Sequence, residues 1–167
     1  MSGVLIRRIE EGDLPALLDI YNHYVIHTAI SFDVEPRTLA DRQDWFATFR
    51  SEGRYQCFVA VEDGRAIGWA SSGKYKERAA YQTSAELSVY LAPDKHRRGL
   101  GRQLYATLIS ALKGADIHRL YGGITLPNAS SVALHESFGF KRVSLTSEVG
   151  RKFGKYWDVA LYEREME

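Results

Sequence analysis

The stretch from Ser84 to Arg102 reads SAELSVYLAPDKHRRGLGR, and the rest of the chain can be placed around it. From Ser84 to Leu91 the residues alternate, with Ala85, Leu87, Val89 and Leu91 on one side and Ser84, Glu86, Ser88 and Tyr90 on the other. That period of two is the mark of a strand with two different faces. Pro93 and Asp94 stop it. A helix is expected from near Gly99 to Lys113, because Leu100, Leu104, Leu108 and Leu112 recur every fourth residue, with Ile109 and Ala111 widening the stripe. Strand and helix are joined by a basic turn.

The physics of that join suggests a function. A helix start leaves backbone N–H groups without intrahelical partners and carries partial positive charge. Gly99 and Gly101 put no side chain in the way of an approaching anion. Arg97, Arg98 and Arg102 add charges in the planar fork that suits phosphate. A pyrophosphate is the expected guest; the alternative is a solvated basic turn that needs glycine for its geometry. No G-x-x-x-x-G-K-[ST] occurs, and the run from Gly99 to Leu104 lacks the third glycine of a dinucleotide fingerprint.

Outward from this centre, 167 residues imply one domain, spanning 1–167, with enough chain to bury a core. A formal net charge of +1 implies no general attraction to polyanions, so no nucleic-acid partner is expected. The single cysteine, Cys57, rules out an intrachain disulfide and any multi-Cys zinc site, and no metal is expected. It lies in the apolar run Cys57-Phe58-Val59-Ala60-Val61, where a buried structural thiol is expected. No apolar run approaches a membrane span, and a cytoplasmic location is expected.

Upstream, Val4–Arg8 reads as a strand, and Asp13 as the N-cap of a helix whose face is Leu14, Leu17, Leu18, Tyr21 and Val25. Residues 27–37 are irregular. Thr38 with Asp41 resembles a capping box that opens a helix through Trp45, Phe46 and Phe49. A hairpin follows, 56–62 and 65–74 around Asp63-Gly64. Downstream, a strand is expected over Leu120–Leu126, then a helix from Ala129 to Phe138 with Asn128 as cap and Gly139 as stop. Final strands are expected over 140–143 and 156–162, with a loop at 150–154. Strands interleaved with about four helices indicate an α/β domain with a mixed sheet.

The strand, R-R-G-L-G and amphipathic helix resemble the acetyl-CoA site of the GCN5-related N-acetyltransferases (GNAT), whose usual pattern is [QR]-x-x-G-x-[GA]; here His96 holds the first position. Five further segments resemble the phosphinothricin and methionine sulfone or sulfoximine N-acetyltransferase branch: S-F-D-V-E-P (31–36), K-x-R-x-x-Y (76–81), A-E-L-S-V-Y (85–90), L-P-N-A-S-S-V-A-L-H-E-S-F-G-F (126–140) and F-G-K-Y-W-D-V (153–159). The resemblance implies a single-domain GNAT fold, a mixed and mostly antiparallel sheet with about four flanking helices, and strands splayed to admit the pantetheine arm. It also implies a homodimer and acetyl-CoA as co-substrate.

Acyl transfer to an amine needs a group to take the amine's proton, because such amines are largely protonated at neutral pH. Glu86 shares a strand face with Ser88 and Tyr90 and matches the glutamate that relatives use as base; otherwise it is an ordinary strand carboxylate. The resemblance assigns the backbone of Val89, Tyr90 and Leu91 to the pantetheine amides, with an N–H there polarising the thioester carbonyl. It assigns the turn and helix start, Arg97, Arg98, Gly99, Leu100, Gly101 and Arg102, to the diphosphate. Asn128 and, more weakly, Ser130 are further contacts. His135 matches the catalytic histidine of the phosphinothricin branch, where many relatives carry a tyrosine as general acid; the alternative is a histidine packed beside the Leu134–Phe138 stripe. Tyr90 and Tyr105 are substitutes for that acid, with Tyr105 read first as a core-flanking aromatic.

Lys76, Arg78 and Tyr81 can hold a carboxylate or phosphinate while the α-amine faces the base, or can be a solvated loop. Phe32, Thr125 and Val159 match pocket positions of relatives, with Thr125 where the phosphinothricin enzymes carry glycine. The expected activity is acetyl transfer to the α-amine of a small amino acid analogue in a ternary complex. The alternatives are another amine acceptor (a protein N-terminus, polyamine or aminoglycoside) and a non-catalytic CoA-binding sensor.

Overall fold

Ser84–Leu91 forms a strand, β4, whose two edges are treated differently. In the computed structural model of the chain, which describes residues 3–167, one edge pairs antiparallel with β3 (Arg65–Lys74) from Ala85 opposite Lys74 to Leu91 opposite Gly68. The other edge pairs in parallel with β5 (Arg119–Leu126) at Ser84, Ala85 and Glu86 alone. Beyond Glu86 the two strands part, and β5 continues antiparallel to β7 (Lys155–Glu165) as far as Leu126 opposite Asp158. Among the described residues, Leu87–Leu91 has no strand partner on that side. With β1 (Leu5–Arg8), β2 (Cys57–Glu62) and β6 (Lys141–Lys152) the sheet has the order β1-β2-β3-β4-β5-β7-β6 and is antiparallel except at β4–β5.

Four α-helices are found among the described residues: α1 (Leu14–His27), α2 (Leu39–Phe46), α3 (Leu100–Ala111) and α4 (Ala129–Ser137). The leucine stripe of α3 is buried against one sheet face, where Ala85, Leu87 and Leu120 meet it. The opposite face packs against α1, with Leu17, Ile20 and Tyr24 over Val59 and Trp69. None of the described helices is long and apolar enough to cross a membrane.

Local chemistry explains most boundaries. Thr38 and Asp41 form the expected capping box, Asp41 N–H donating to Thr38 Oγ1 at 3.2 Å and Thr38 N–H to Asp41 Oδ2 at 2.8 Å. Asp63 and Gly64 both have positive φ, 51° and 76°, as the two-residue hairpin turn requires. Three expectations need correction. Asp13 stands at the start of α1 without capping it, because its carboxylate is held by Arg7 at 2.8 and 2.9 Å and by the Glu10 N–H. The buried face of α1 is Leu14, Leu17, Ile20, Tyr24 and Val25, so Leu18 and Tyr21 sit at its margins. The last hairpin is much longer than expected: β6 runs to Lys152 and the turn is Phe153-Gly154. Bulges at Arg142/Ser144 and Thr146/Gly150, and the exposure of nearly all of β6, erase the alternation that would have revealed it.

Gly68 sets how closely β3 approaches the free-edged strand. A Cβ there would lie 2.7 Å from the Tyr90 carbonyl oxygen and 2.6 Å from Leu91 Cδ2. Gly68→Ala is therefore expected to cost about 1–3 kcal/mol, read as a lower melting temperature; an unchanged melt would show that the strands can separate freely.

Candidate active site

The parting of β4 and β5 opens a cavity of about 570 Å³, walled by Leu87–Leu91, by Gly123–Thr125 and by the starts of α3 and α4. At one end Gly99 precedes α3 in the left-handed region (φ 73°) and supplies no side-chain cap, so the first N–H groups of the helix face the cavity uncapped. Arg97 also has positive φ, 65°, a conformation that costs a non-glycine residue about 1 kcal/mol. Arg97, Leu100, Gly101 and Arg102 line this end. Arg102 donates to Ser137 Oγ at 3.1 Å and lies over the Phe138 ring. Arg98, expected among the phosphate contacts, points elsewhere. Its guanidinium donates to Glu62 at 2.7 Å beside Lys95 at 2.6 Å, and these two cations hold the Glu62 carboxyl down at about 2.

His96, the departure in the motif, lines the cavity and lies 2.8 Å from the Tyr24 hydroxyl, which donates to the Leu91 carbonyl at 2.5 Å. Tyr24 thus braces both the turn and the free-edged strand. Sequence reading missed it, because it took Tyr21 rather than Tyr24 as the tyrosine of the buried helix face. Val89, Tyr90 and Leu91 border the cavity, while the Tyr90 ring stacks on Trp69 at 4.9 Å on the α1 side. Asn128 Oδ1 accepts from Ser131 N–H at 3.2 Å, capping α4, and Asn128 and Ser130 both face the cavity.

At the other end two ionisable groups approach β5 from opposite faces. Glu86 is in register with Tyr121, so its face of β5 continues through Gly123 and Thr125. Its Oε1 lies 4.0 Å from where a Gly123 Cβ would stand, and no described residue hydrogen-bonds the carboxylate. Burial pushes the Glu86 carboxyl above the ordinary range. His135 lies against Gly122 on the other face, where a Cβ would be 2.5 Å from Nε2. It is the most buried residue of α4, 4% exposed, rather than the edge of a Leu134–Phe138 stripe. Its Nδ1 is 2.7 Å from the Ser131 carbonyl and Nε2 is 2.8 Å from the Tyr105 hydroxyl. The carbonyl can only accept, so Nδ1 carries the proton and Nε2 accepts from Tyr105 in the neutral ring. Burial pushes the His135 pKa down and that of Tyr105, which is fully buried, up. The Gly122-Gly123 pair inside a strand was the readable sign of close approach on both sides.

The expected acceptor residues divide between two places. Thr125 lines the cavity and is opposite Val159, which is opposite Thr146. The Phe32 ring packs on Gly150 of β6, where a Cβ would be 2.2 Å away, and Lys152 Nζ ties that loop down by donating to the Ser31 and Asp33 carbonyls at 2.8 Å each. Lys76, Arg78 and Tyr81 lie in an exposed loop that leads into β4. Lys76 Nζ lies 5.1 Å from the Tyr81 ring and 5.2 Å from the Tyr75 ring, and Tyr75 stacks at 4.2 Å on Tyr121. Tyr75 and Tyr121, not singled out in the sequence, link that loop to the strand position in register with Glu86. Cys57 is buried in the core, and burial pushes its thiol pKa up.

Residues 6–161 match the acetyltransferase (GNAT) domain family. The chain is 47% identical over 167 residues to a phosphinothricin N-acetyltransferase of Streptomyces coelicolor, covering 99% of this chain and 98% of the relative. It is 32% identical to an L-methionine sulfoximine/L-methionine sulfone acetyltransferase of Salmonella typhimurium over 97% of this chain and 94% of the relative. The crystal structure of a GNAT superfamily phosphinothricin acetyltransferase from Sinorhizobium meliloti in complex with acetyl-CoA superposes with a TM-score of 0.92 at 27% identity, covering 98% and 88% of the two chains.

Proposed function

The chain belongs to the acetyltransferase (GNAT) domain family, and from that membership we propose that it moves the acetyl group of acetyl-CoA directly onto the α-amine of a small amino acid analogue of the phosphinothricin, methionine sulfoximine or methionine sulfone type. The observation that carries this reading is the parting of β4 from β5 immediately after Glu86, which leaves a free strand edge beside an unpaired, half-buried carboxylate.

The residues present fit acetyl-CoA. The free edge of Leu87–Leu91 suits the amides of a pantetheine arm as an added strand would. The uncapped start of α3, with Arg97 and Arg102, suits a diphosphate. The thioester supplies the acyl group and the leaving sulfur. Glu86 takes the first proton from the acceptor's ammonium and passes it to solvent. A backbone N–H near Tyr90–Leu91 polarises the thioester carbonyl as the neutral nitrogen attacks and the C–S bond breaks. The nitrogen's second proton is relayed to the departing sulfur by the hydrogen-bonded Tyr105–His135 pair, so neither group changes its protonation over the turnover. The burial of Cys57 in the core supports direct transfer over an acyl-enzyme.

Lys76 and Arg78 are the cations for the acceptor's α-carboxylate, with Tyr81, Phe32, Thr125 and Val159 bounding its side chain. The same reading takes the chain as a cytoplasmic homodimer, and the exposed Val143, Leu145 and Val149 of edge strand β6 suit a surface that a second copy covers.

A thiol-release assay with acetyl-CoA and a panel of amines tests the activity. Turnover is expected with phosphinothricin or methionine sulfone and not with polyamines. Coenzyme A binding without turnover on any amine would instead mark the chain as a sensor.

A further inference from the structure

A second cavity, of about 320 Å³, opens on the α1–α2 side of the sheet, and Ser88 and Tyr90 line both it and the first. Arg42 projects into it from α2. The side chain is 6% exposed, and its guanidinium carbon lies 4.1 Å from the centre of the Trp45 ring, 4.4 Å from Tyr21 and 5.1 Å from Trp69. Neither Nε nor Nη2 has a hydrogen-bond partner among the described residues.

The acidic groups nearby are already committed. Asp33 is held by Arg37 at 2.8 and 2.9 Å and by the Tyr21 hydroxyl, and Asp41 closes the cap of its own helix with Thr38. Arg42 is therefore a buried cation without a counterion. Aromatic rings stabilise such a cation in part, but unsatisfied guanidinium donors in a desolvated site are costly. A purely structural position of this kind would be better served by an apolar side chain. The cost is removed when an oxyanion from outside enters and takes the two donors as a fork.

The place of this cavity relative to Glu86 identifies what enters. Ser71 and Ser88 are cross-strand neighbours whose side chains border the cavity, and Ser88 lies two residues, about 7 Å, from Glu86 on the same strand face. An amine at Glu86 and an oxyanion past Ser88 are thus joined by a chain of a few atoms.

We propose that the Arg42 cavity is an anion subsite that takes the side-chain acid, phosphinate or carboxylate, of the acceptor. The proposal rests on Glu86 as the amine end of the acceptor site. The α-carboxylate is then left to Lys76 and Arg78, and Arg42 separates acceptors with an acidic side chain from neutral ones such as a sulfone.

Trp45 and Trp69 in the cage provide a binding signal independent of turnover. Full-length protein without acetyl-CoA is titrated with phosphinothricin and with glutarate while tryptophan emission and melting temperature are read. The wild type is expected to show a saturable emission change and a rise in melting temperature. Arg42→Met is expected to show neither, and to melt without ligand at least as high as wild type. In turnover, Arg42→Met raises KM for phosphinothricin about tenfold or more, leaving KM for methionine sulfone and acetyl-CoA within about twofold. A glutarate signal that is lost in Arg42→Met with acceptor kinetics untouched supports the anion site and assigns it to a separate carboxylate. Absence of any ligand signal in wild type, or an Arg42→Met protein that binds and turns over as wild type does, overturns the site. A chain inactive on every amine would still answer through the titration, so failure of the enzymatic reading and failure of this one are distinguishable.

Discussion

Glu86→Gln is expected to lower kcat/KM about a hundredfold or more near neutral pH, with the deficit shrinking as the pH approaches that of the free amine. The sign follows from two titrations. An α-amine or lysine-like amine is mostly protonated at pH 7, so attack needs a base; near pH 9–10 the neutral amine becomes abundant and the base matters less. Burial raises the Glu86 pKa, so wild-type activity should fall as the pH drops through that raised value and the carboxylate takes up a proton; the glutamine variant should lack this limb. The same shift makes a stability prediction. A carboxyl whose folded pKa is raised favours folding at low pH, and that contribution is lost as the pH rises through the folded pKa. At neutral pH the variant should therefore melt no lower than wild type. A pH–rate profile of both proteins decides the matter, and equal kcat/KM at pH 7 would remove Glu86 as the base.

The second large effect comes from a residue with no side chain. Gly122→Ala places a Cβ 2.5 Å from Nε2 and 2.8 Å from Cδ2 of His135. The ring cannot swing aside freely: Ser131 and Tyr105 hold its two nitrogens, and Phe140 packs edge-on at 5.2 Å. The variant is expected to lose about 1–3 kcal/mol of stability from overpacking and about tenfold to a hundredfold in kcat, because the Tyr105–His135 hydrogen bond must break. KM for acetyl-CoA should hardly change, since the end of the cavity proposed for its diphosphate is built from α3 and its turn. A double-mutant cycle isolates the cause: in a His135→Ala background the alanine at 122 should cost little further in kcat. Additive losses would mean that Gly122 acts on something other than the histidine.

Element types were readable where a short-range period or a capping residue carried them. The alternation of Ser84–Leu91, the leucine stripe of α3, the Thr38–Asp41 box and the Asp63-Gly64 turn all express contacts within a few residues. The last hairpin was only partly legible, because β6 is solvated on nearly every residue and bulged twice. In the site, Glu86 and the glycines of the turn announced themselves by residue type and position. The charge of Arg98 was equally legible, but its partner Glu62, 36 positions away, was not.

What the sequence determined by itself was the sheet-to-turn-to-helix unit with its uncapped helix start, and the presence of a carboxylate on the strand face it shares with Ser88 and Tyr90. Tertiary structure alone decided that β5 leaves β4 after Glu86 to pair with β7, a strand more than thirty residues further on. It likewise decided that Glu86 and His135 meet the parting from opposite faces, and that Arg42 is enclosed by aromatic rings without a counterion. The reason is one of range. Periodicity, caps and turn residues report forces acting between near neighbours in the chain, whereas strand partners and buried charges are chosen by whichever distant segments can bury the most surface together.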